Sequence, residues 1–216
     1  MLDQNNRPMA WDVLSSETRV KDRFIHVRTD KCRAANGDIV DYHVLQCHNW
    51  VNIVPFEVDT LALLLVDEYR HGIGGPVLGL AGGAIDKEID KDPREAARIA
   101  SMRELREETG YSAATATLTL ESMPNPALQD NHVFSFTSFD VVSDGKPSFD
   151  VGNGEFCVTV KRDFVDVLTQ LSSGELIMQA MHVAALWSAA RYILKSEDLP
   201  TSALPLRAKV RDFLLG

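Results

Sequence analysis

Apolar and polar residues alternate from Phe24 to Thr29 and again from Ile39 to Leu45, with Ala35-Asn36-Gly37-Asp38 between them. A period of two puts alternate side chains on one face, so the two runs read as the strands of a β-hairpin turning at that connection. A lone hairpin is marginal in water, and this one needs a surface to pack on. Val51–Val54 and Leu61–Val66 read as further strands. The second has no polar residue, which places it centrally with both faces covered. A helix is expected from Pro93 to Thr109, because Asp92 can cap its start, proline occupies its first position, Glu95 stands at the third, and Gly110 can end it. Strands follow near Ala116–Glu121, His132–Val142 and Phe156–Val160, and helices over Asp163–Leu171 and Leu176–Leu194. Thr201–Leu215 is either a short amphipathic helix or a loosely held tail. No internal repeat or low-complexity run interrupts this order.

Chemistry concentrates in Arg103-Glu-Leu-Arg-Glu-Glu-Thr-Gly-Tyr111. On a helix Glu104 and Glu108 lie one turn apart on one face, with Glu107 beside them and Arg103 one turn before Glu107. One arginine is too little charge for three carboxylates, and hard divalent cations prefer oxygen ligands, so the segment reads as a Mg²⁺ or Mn²⁺ site. The competing reading is a solvated helix face with weak salt bridges.

Composition sets the limits. A chain of 216 residues accommodates one good-sized domain and a smaller appendage. It has no apolar run long enough to span a bilayer, and its polar N-terminus shows no secretory signal. The three cysteines, Cys32, Cys47 and Cys157, form no CxxC pair, which argues against a zinc site or disulfide frame and fits a reducing cytoplasm. A net charge of −9 disfavours nucleic acid as a partner. It does not disfavour a phosphate substrate, since a bound metal reverses the sign of a site locally.

The acidic helix, with the glycine turn Leu78-Gly-Leu-Ala-Gly-Gly-Ala-Ile-Asp86 before it, resembles the Nudix box, Gly-x5-Glu-x7-Arg-Glu-U-x-Glu-Glu-x-Gly-U, where U is bulky and apolar. Glu95, Arg103, Glu104, Leu105, Glu107, Glu108, Gly110 and Tyr111 match it in spacing. The leading glycine does not: Ile89 stands at that position, and from Gly83 to Glu95 eleven residues intervene where the pattern has five. Glu95 would lie roughly opposite Glu104 on a continuous helix, so capping suits it better than metal binding. Outside the box, Trp11–Ser16, the hairpin, Val66–Gly72 and Ser173–Leu176 resemble the ADP-ribose pyrophosphatase branch of the Nudix hydrolases. Met123–Asn131 resembles a motif of members acting on nucleoside diphosphate sugars or of unassigned specificity.

The resemblance implies an α/β (α+β) fold: a Nudix α/β/α sandwich with a mixed sheet, preceded by a small N-terminal antiparallel β domain that builds a homodimer. Residues 1–55 are assigned to that domain, 56–198 to the hydrolase domain and 199–216 to a C-terminal helix or tail. It further implies cleavage of a diphosphate linkage with Mg²⁺ or Mn²⁺ held by Glu104 and Glu108, by Glu107 directly or through water, and by the Gly82 carbonyl. Arg103 is expected to orient Glu107 by a charge-assisted hydrogen bond. In this branch the general base comes from a loop past the box, here Asp150–Phe156. Glu155 is the first choice, as base or extra metal ligand, and Asp150 the second. Arg70, between a buried strand and a glycine-rich loop, suits a substrate phosphate or terminal sugar. Aromatic residues such as Trp50 could stack a base but more often fill cores, and the histidines show no metal-ligand spacing. A non-catalytic nucleotide-sugar-binding module is the main alternative, and an isoprenoid diphosphate isomerase on the same fold is another. The intact box acids argue against the first and the N-terminal half against the second.

Overall fold

The computed structural model describes residues 2–22, 25–85, 92–149 and 156–216. The chain forms two compact units, Met1–His48 with Met123–His132, and Asn49–Ser122 with Val133–Gly216.

The first unit is an antiparallel sheet of β1 (Asp12–Lys21), β2 (His26–Arg33) and β3 (Ile39–Gln46), in that order. The expected hairpin is β2–β3, in register from His26 opposite Gln46 to Arg33 opposite Ile39. Gly37 supplies the left-handed turn at φ 91°. Phe24 of the expected first strand lies outside the described residues. β1 was not legible as a strand because it is exposed along its whole length and shows no apolar alternation. Met123–His132 is tied to this sheet by polar bonds. Leu45 N–H donates to the Leu128 carbonyl at 2.8 Å. The Asp130 carboxylate accepts from Cys47 N–H at 3.1 Å and pairs with Arg28 at 3.2 Å. Arg28 also pairs with buried Asp30 at 2.9 Å. The Ser16 hydroxyl and then Arg28 hold the Asp30 carboxyl below the usual range against the opposing effect of burial.

The second unit starts with β4 (Trp50–Glu57), β5 (Leu63–Arg70), β6 (Gly75–Gly79) and β7 (Gly82–Ala84). Helix α1 (Pro93–Thr109) is followed by β8 (Tyr111–Ser112), β9 (Thr117–Ser122), β10 (Val133–Ser143) and β11 (Cys157–Arg162), then α2 (Phe164–Ser173), α3 (Ala180–Lys195) and α4 (Leu204–Leu215). The sheet order is β11-β5-β4-β10-β8, with β6 on β5, β7 on β4 and β9 on β10. β4 and β10 run parallel and the other pairs antiparallel, so the sheet is mixed.

β4 and β5 explain the layering. Val54, Phe56, Leu63 and Leu65 pack against α2, α3 and α4, whereas Val51, Ile53, Leu64 and Val66 pack against α1. Strands apolar on both faces demand a helical layer on each, and each fully buried leucine contributes about 2 kcal/mol of transfer free energy. The inward face of α1 is small, with Ala96, Ala97 and Ala100 buried beside Leu105. This lets the helix lie close to the sheet. The expected fold class, α+β with a mixed sheet between helices and a small N-terminal antiparallel sheet, is the one observed.

Two element starts differ from expectation for a local reason, and the C-terminal segment takes one of its two expected forms. β5 begins at Leu63 rather than Leu61, because Leu61 closes a tight turn at φ 56° with its N–H on the Glu57 carbonyl at 2.8 Å. Helix α3 begins at Ala180 rather than Leu176. After Gly174 ends α2 in the left-handed conformation, the chain bends and runs without helix to Gln179, and Leu176 N–H returns to the Gln170 carbonyl at 3.1 Å. The C-terminal segment is helical, with Leu206 and Val210 buried. Among the described residues no helix is long and apolar enough to cross a membrane.

Candidate active site on the acidic helix

Local signals set both ends of α1. The Asp92 side chain accepts from Arg94 and Glu95 N–H at 3.0 and 3.3 Å. Gly110 stops the helix at φ 71°, where a Cβ would stand 2.7 Å from the Gly145 carbonyl oxygen. Glu95 pairs with Arg98 one turn on, at 2.6 Å. It stands in the first turn of α1.

Glu104 and Glu108 border the buried stripe of α1 and reach β7. The Gly82 N–H donates to Glu108 Oε2 at 3.1 Å. A Cβ on Gly83 would lie 2.7 Å from Glu104 Oε1, so that carboxylate rests directly on the strand backbone. Gly82 has a different reason to be glycine: a Cβ there would stand 2.2 Å from the Val51 carbonyl oxygen of β4. Thus one glycine admits the sheet and the next admits the carboxylate. Arg103 bridges two acids, its Nη1 lying 2.8 Å from Glu104 Oε1 and 2.9 Å from Glu107 Oε2.

The electrostatics are those of a site with excess negative charge. Burial, and then repulsion from Glu104 and Glu68, push the Glu108 carboxyl up to about 8, against the smaller opposing pull of Gly82 N–H and Arg70. Glu68 is the acid that sequence reading missed. Its signal was available, since it stands two residues before Arg70 on a strand and so shares its face. The two form an ion pair. Opposite Glu68 on β11 is Cys157, whose thiol donates to the Glu108 carbonyl at 3.3 Å.

Glu155 and Asp150 lie outside the described residues. The described chain on either side of them is fastened to the last turn of α1. Ser148 N–H donates to the Glu107 carbonyl at 2.8 Å, and Cys157 reaches the next carbonyl. Phe149 and Phe156 meet with ring centroids 5.7 Å apart. Trp50 is half-buried at the start of β4, opposite Ala84 and Val133. His182 is buried, and its Nδ1 accepts from Leu80 N–H at 3.2 Å. Burial, then Arg70, lower it to about 4, so it is a neutral structural imidazole.

The donor set suits a hard cation: all oxygen, over-acidic, and partly withdrawn from water. Among the described residues no three His, Cys, Asp or Glu side chains converge into a ligand shell. An ion held by Glu104 and Glu108 would need further ligands, and water can supply some of them. Mg²⁺ keeps waters readily in this way.

Residues 11–45 match the family model described as the nucleoside diphosphate sugar hydrolase N-terminal domain. The chain is 28% identical over 137 residues to the ADP-ribose pyrophosphatase of Mycobacterium tuberculosis (strain ATCC 25618 / H37Rv), covering 63% of each. It is 30% identical over 129 residues to the ADP-sugar pyrophosphatase of Mus musculus, covering 57% of this chain and 56% of the relative. It thus spans less than two thirds of the length of these curated relatives. A crystal structure described as an ADP compounds hydrolase superposes with a TM-score of 0.67 at 22% identity, covering 86% of this chain and 95% of that one. That structural likeness bears on fold. Together the comparisons bear out the resemblance to the ADP-ribose pyrophosphatase and nucleoside diphosphate sugar hydrolase branch of the Nudix hydrolases.

Proposed function

We propose that this protein is a Mg²⁺- or Mn²⁺-dependent hydrolase that cleaves the diphosphate linkage of ADP-ribose or a nucleoside diphosphate sugar, releasing a nucleoside monophosphate and a sugar phosphate. The observation that carries the reading is the seating of Glu104 and Glu108 against the Gly82–Gly83 backbone, where the missing Cβ of Gly83 leaves room for the Glu104 carboxylate. The printed names of the relatives, an ADP-ribose and an ADP-sugar pyrophosphatase, favour an ADP-linked substrate.

Glu104 and Glu108, with the Gly82 carbonyl and Glu107 directly or through water, would hold the metal. When bound, it would supply positive charge to the diphosphate and lower the pKa of a water toward neutrality. Arg103 keeps Glu104 and Glu107 apart from each other's charge and fixes their orientation. Arg70 takes a phosphate oxygen or the terminal sugar. Glu155 accepts the proton of the attacking water or adds a ligand, with Asp150 as second choice. The attachment of Ser148 and Cys157 to the carboxylate helix supports both, because these described residues flank Asp150 and Glu155 in the chain.

Residues 1–55 are proposed to pair with a second copy. Trp11, Val13, Leu14 and Val20 are exposed in one chain, more apolar surface than one edge strand ordinarily leaves open. Three free cysteines suit a cytoplasmic setting. Residues 56–198 form the proposed hydrolase domain, and 199–216 its C-terminal helix.

The test is phosphatase-coupled phosphate release from ADP-ribose, ADP-glucose, GDP-mannose, UDP-glucose, NADH and diadenosine polyphosphates, with and without Mg²⁺. Mg²⁺-dependent turnover of a nucleoside diphosphate sugar is expected. Binding of one of these compounds with no turnover of any would instead identify a non-catalytic binding module.

A further inference from the structure

The face of β5 that packs on α1 is apolar at Leu64 and Val66, and its next two positions are Glu68 and Arg70. The cross-strand neighbour of Glu68, Cys157, bonds the carbonyl of Glu108, so Glu68 faces the last turn of α1, where carboxylates already crowd. Its side chain is only 18% exposed, so water screens it little. A further carboxylate here raises the repulsion within the site, and it forms an ion pair with Arg70, whose side chain is 45% exposed. Arg70 is near enough for its charge to act on both Glu108 and the buried His182.

We propose that Glu68 is a positioning residue: it grips Arg70 at the end of β5 so that the rest of the guanidinium fork is presented to the diphosphate of the substrate. This rests on the reading of Arg70 as a substrate ligand. The chemistry favours it because arginine offers five N–H donors in a rigid plane. A carboxylate takes one edge and leaves the others for phosphate oxygens. An arginine held beforehand loses less rotational freedom when substrate arrives. Glutamine at 68 accepts a hydrogen bond from Arg70 without the charge, whereas alanine leaves it unheld.

The test is a double-mutant cycle of Glu68→Ala and Arg70→Ala with ADP-ribose as substrate, and Glu68→Gln as the conservative variant. Glu68→Ala is expected to raise KM about tenfold with kcat and the half-saturating Mg²⁺ within about twofold. Glu68→Gln recovers part of that loss. In the double variant KM is no higher than in Arg70→Ala alone, since the first change then has nothing left to position. Additive effects, or a fall in kcat at constant KM, overturn the proposal. A substrate-free readout stands beside this: the Arg70 Nε–H resonance in ¹⁵N NMR, assigned by its loss in Arg70→Ala, is sharp in the wild type and broadened in Glu68→Ala. An unchanged resonance overturns the positioning role whatever the substrate. If Glu68→Ala does not fold, Glu68→Gln carries both measurements. A wild type that neither binds nor cleaves ADP-ribose, with the resonance still coupled to Glu68, refutes the functional reading and reduces the pair to a structural ion pair.

Discussion

Gly83 and Glu104 are in backbone-to-carboxylate contact: a single added methyl on Gly83 would stand 2.7 Å from Glu104 Oε1 and 2.8 Å from its Cδ. The atom displaced is the end of a flexible side chain, so Gly83→Ala is expected to fold, moving Glu104 off its seat. Gly82→Ala drives a methyl into the Val51 carbonyl at 2.2 Å, which is backbone and cannot yield. The pair should therefore separate activity from stability. Gly83→Ala loses about tenfold or more in kcat/KM with Tm nearly unchanged, whereas Gly82→Ala lowers Tm by several degrees. Thermal melts beside steady-state assays decide it, and a reversed order would remove this account of the two glycines.

Glu104→Gln and Glu108→Gln are each expected to abolish Mg²⁺-dependent turnover and to leave the protein folded. Glu108→Gln has a second expected effect. It removes a carboxyl that burial and its neighbours make difficult to ionise, so the metal-free variant is at least as stable as the wild type at pH 8. Full activity in either variant would sink the site assignment.

The same carboxyl predicts a pH dependence. Its folded value is raised from 4.5 to about 8, so between those values the folded state holds a proton that the unfolded state has released. Its contribution to stability is complete below pH 4.5 and is lost as pH rises toward 8. Metal competes with that proton, so the gain in Tm on adding Mg²⁺ grows across the same window. Melting curves with and without Mg²⁺ from pH 5 to 8.5 measure this. Glu108→Gln should flatten the dependence, and a metal-induced gain independent of pH would exclude Glu108 as a ligand.

Arg103 contacts two acids through one nitrogen. Lysine preserves the charge but not the planar fork, so Arg103→Lys is expected to lose roughly 10- to 100-fold in kcat/KM and Arg103→Ala more. Mg²⁺ titrations of activity should show a weakened or altered metal requirement in both. Wild-type rates in Arg103→Lys would reduce the residue to a generic charge.

Glu155→Gln is expected to slow the chemical step by at least about 100-fold while metal binding, followed by calorimetry, changes little. An unchanged rate shifts the role to Asp150, for which Asp150→Asn is the parallel test.

Much of the candidate site was legible in the chain because it is local. Asp92, Pro93 and Gly110 delimit α1 through bonds to residues within one turn, and helical geometry alone puts Glu104 above Glu108. The unbroken apolar run in β5 announced a strand covered on both faces. Its first two residues were misread, since a turn closed by Leu61 in the left-handed conformation is not visible in an apolar pattern. The early expectation for α3 failed similarly: Leu176 is apolar because it packs against the core, not because it is helical.

By itself the sequence determined the acidic helix, its caps, the hairpin and the apolar core strands, since each depends on neighbours a few residues away or on burial that composition reveals. Only the tertiary structure decided what that helix faces. It set Gly82 and Gly83 against Glu108 and Glu104, brought Glu68 and Arg70 to the same end, fastened Ser148 and Cys157 to the final turn, and joined Met123–His132 to the N-terminal sheet. Those relations join residues that are mostly far apart in the chain. They arise from strand pairing and packing between elements, which no local period encodes.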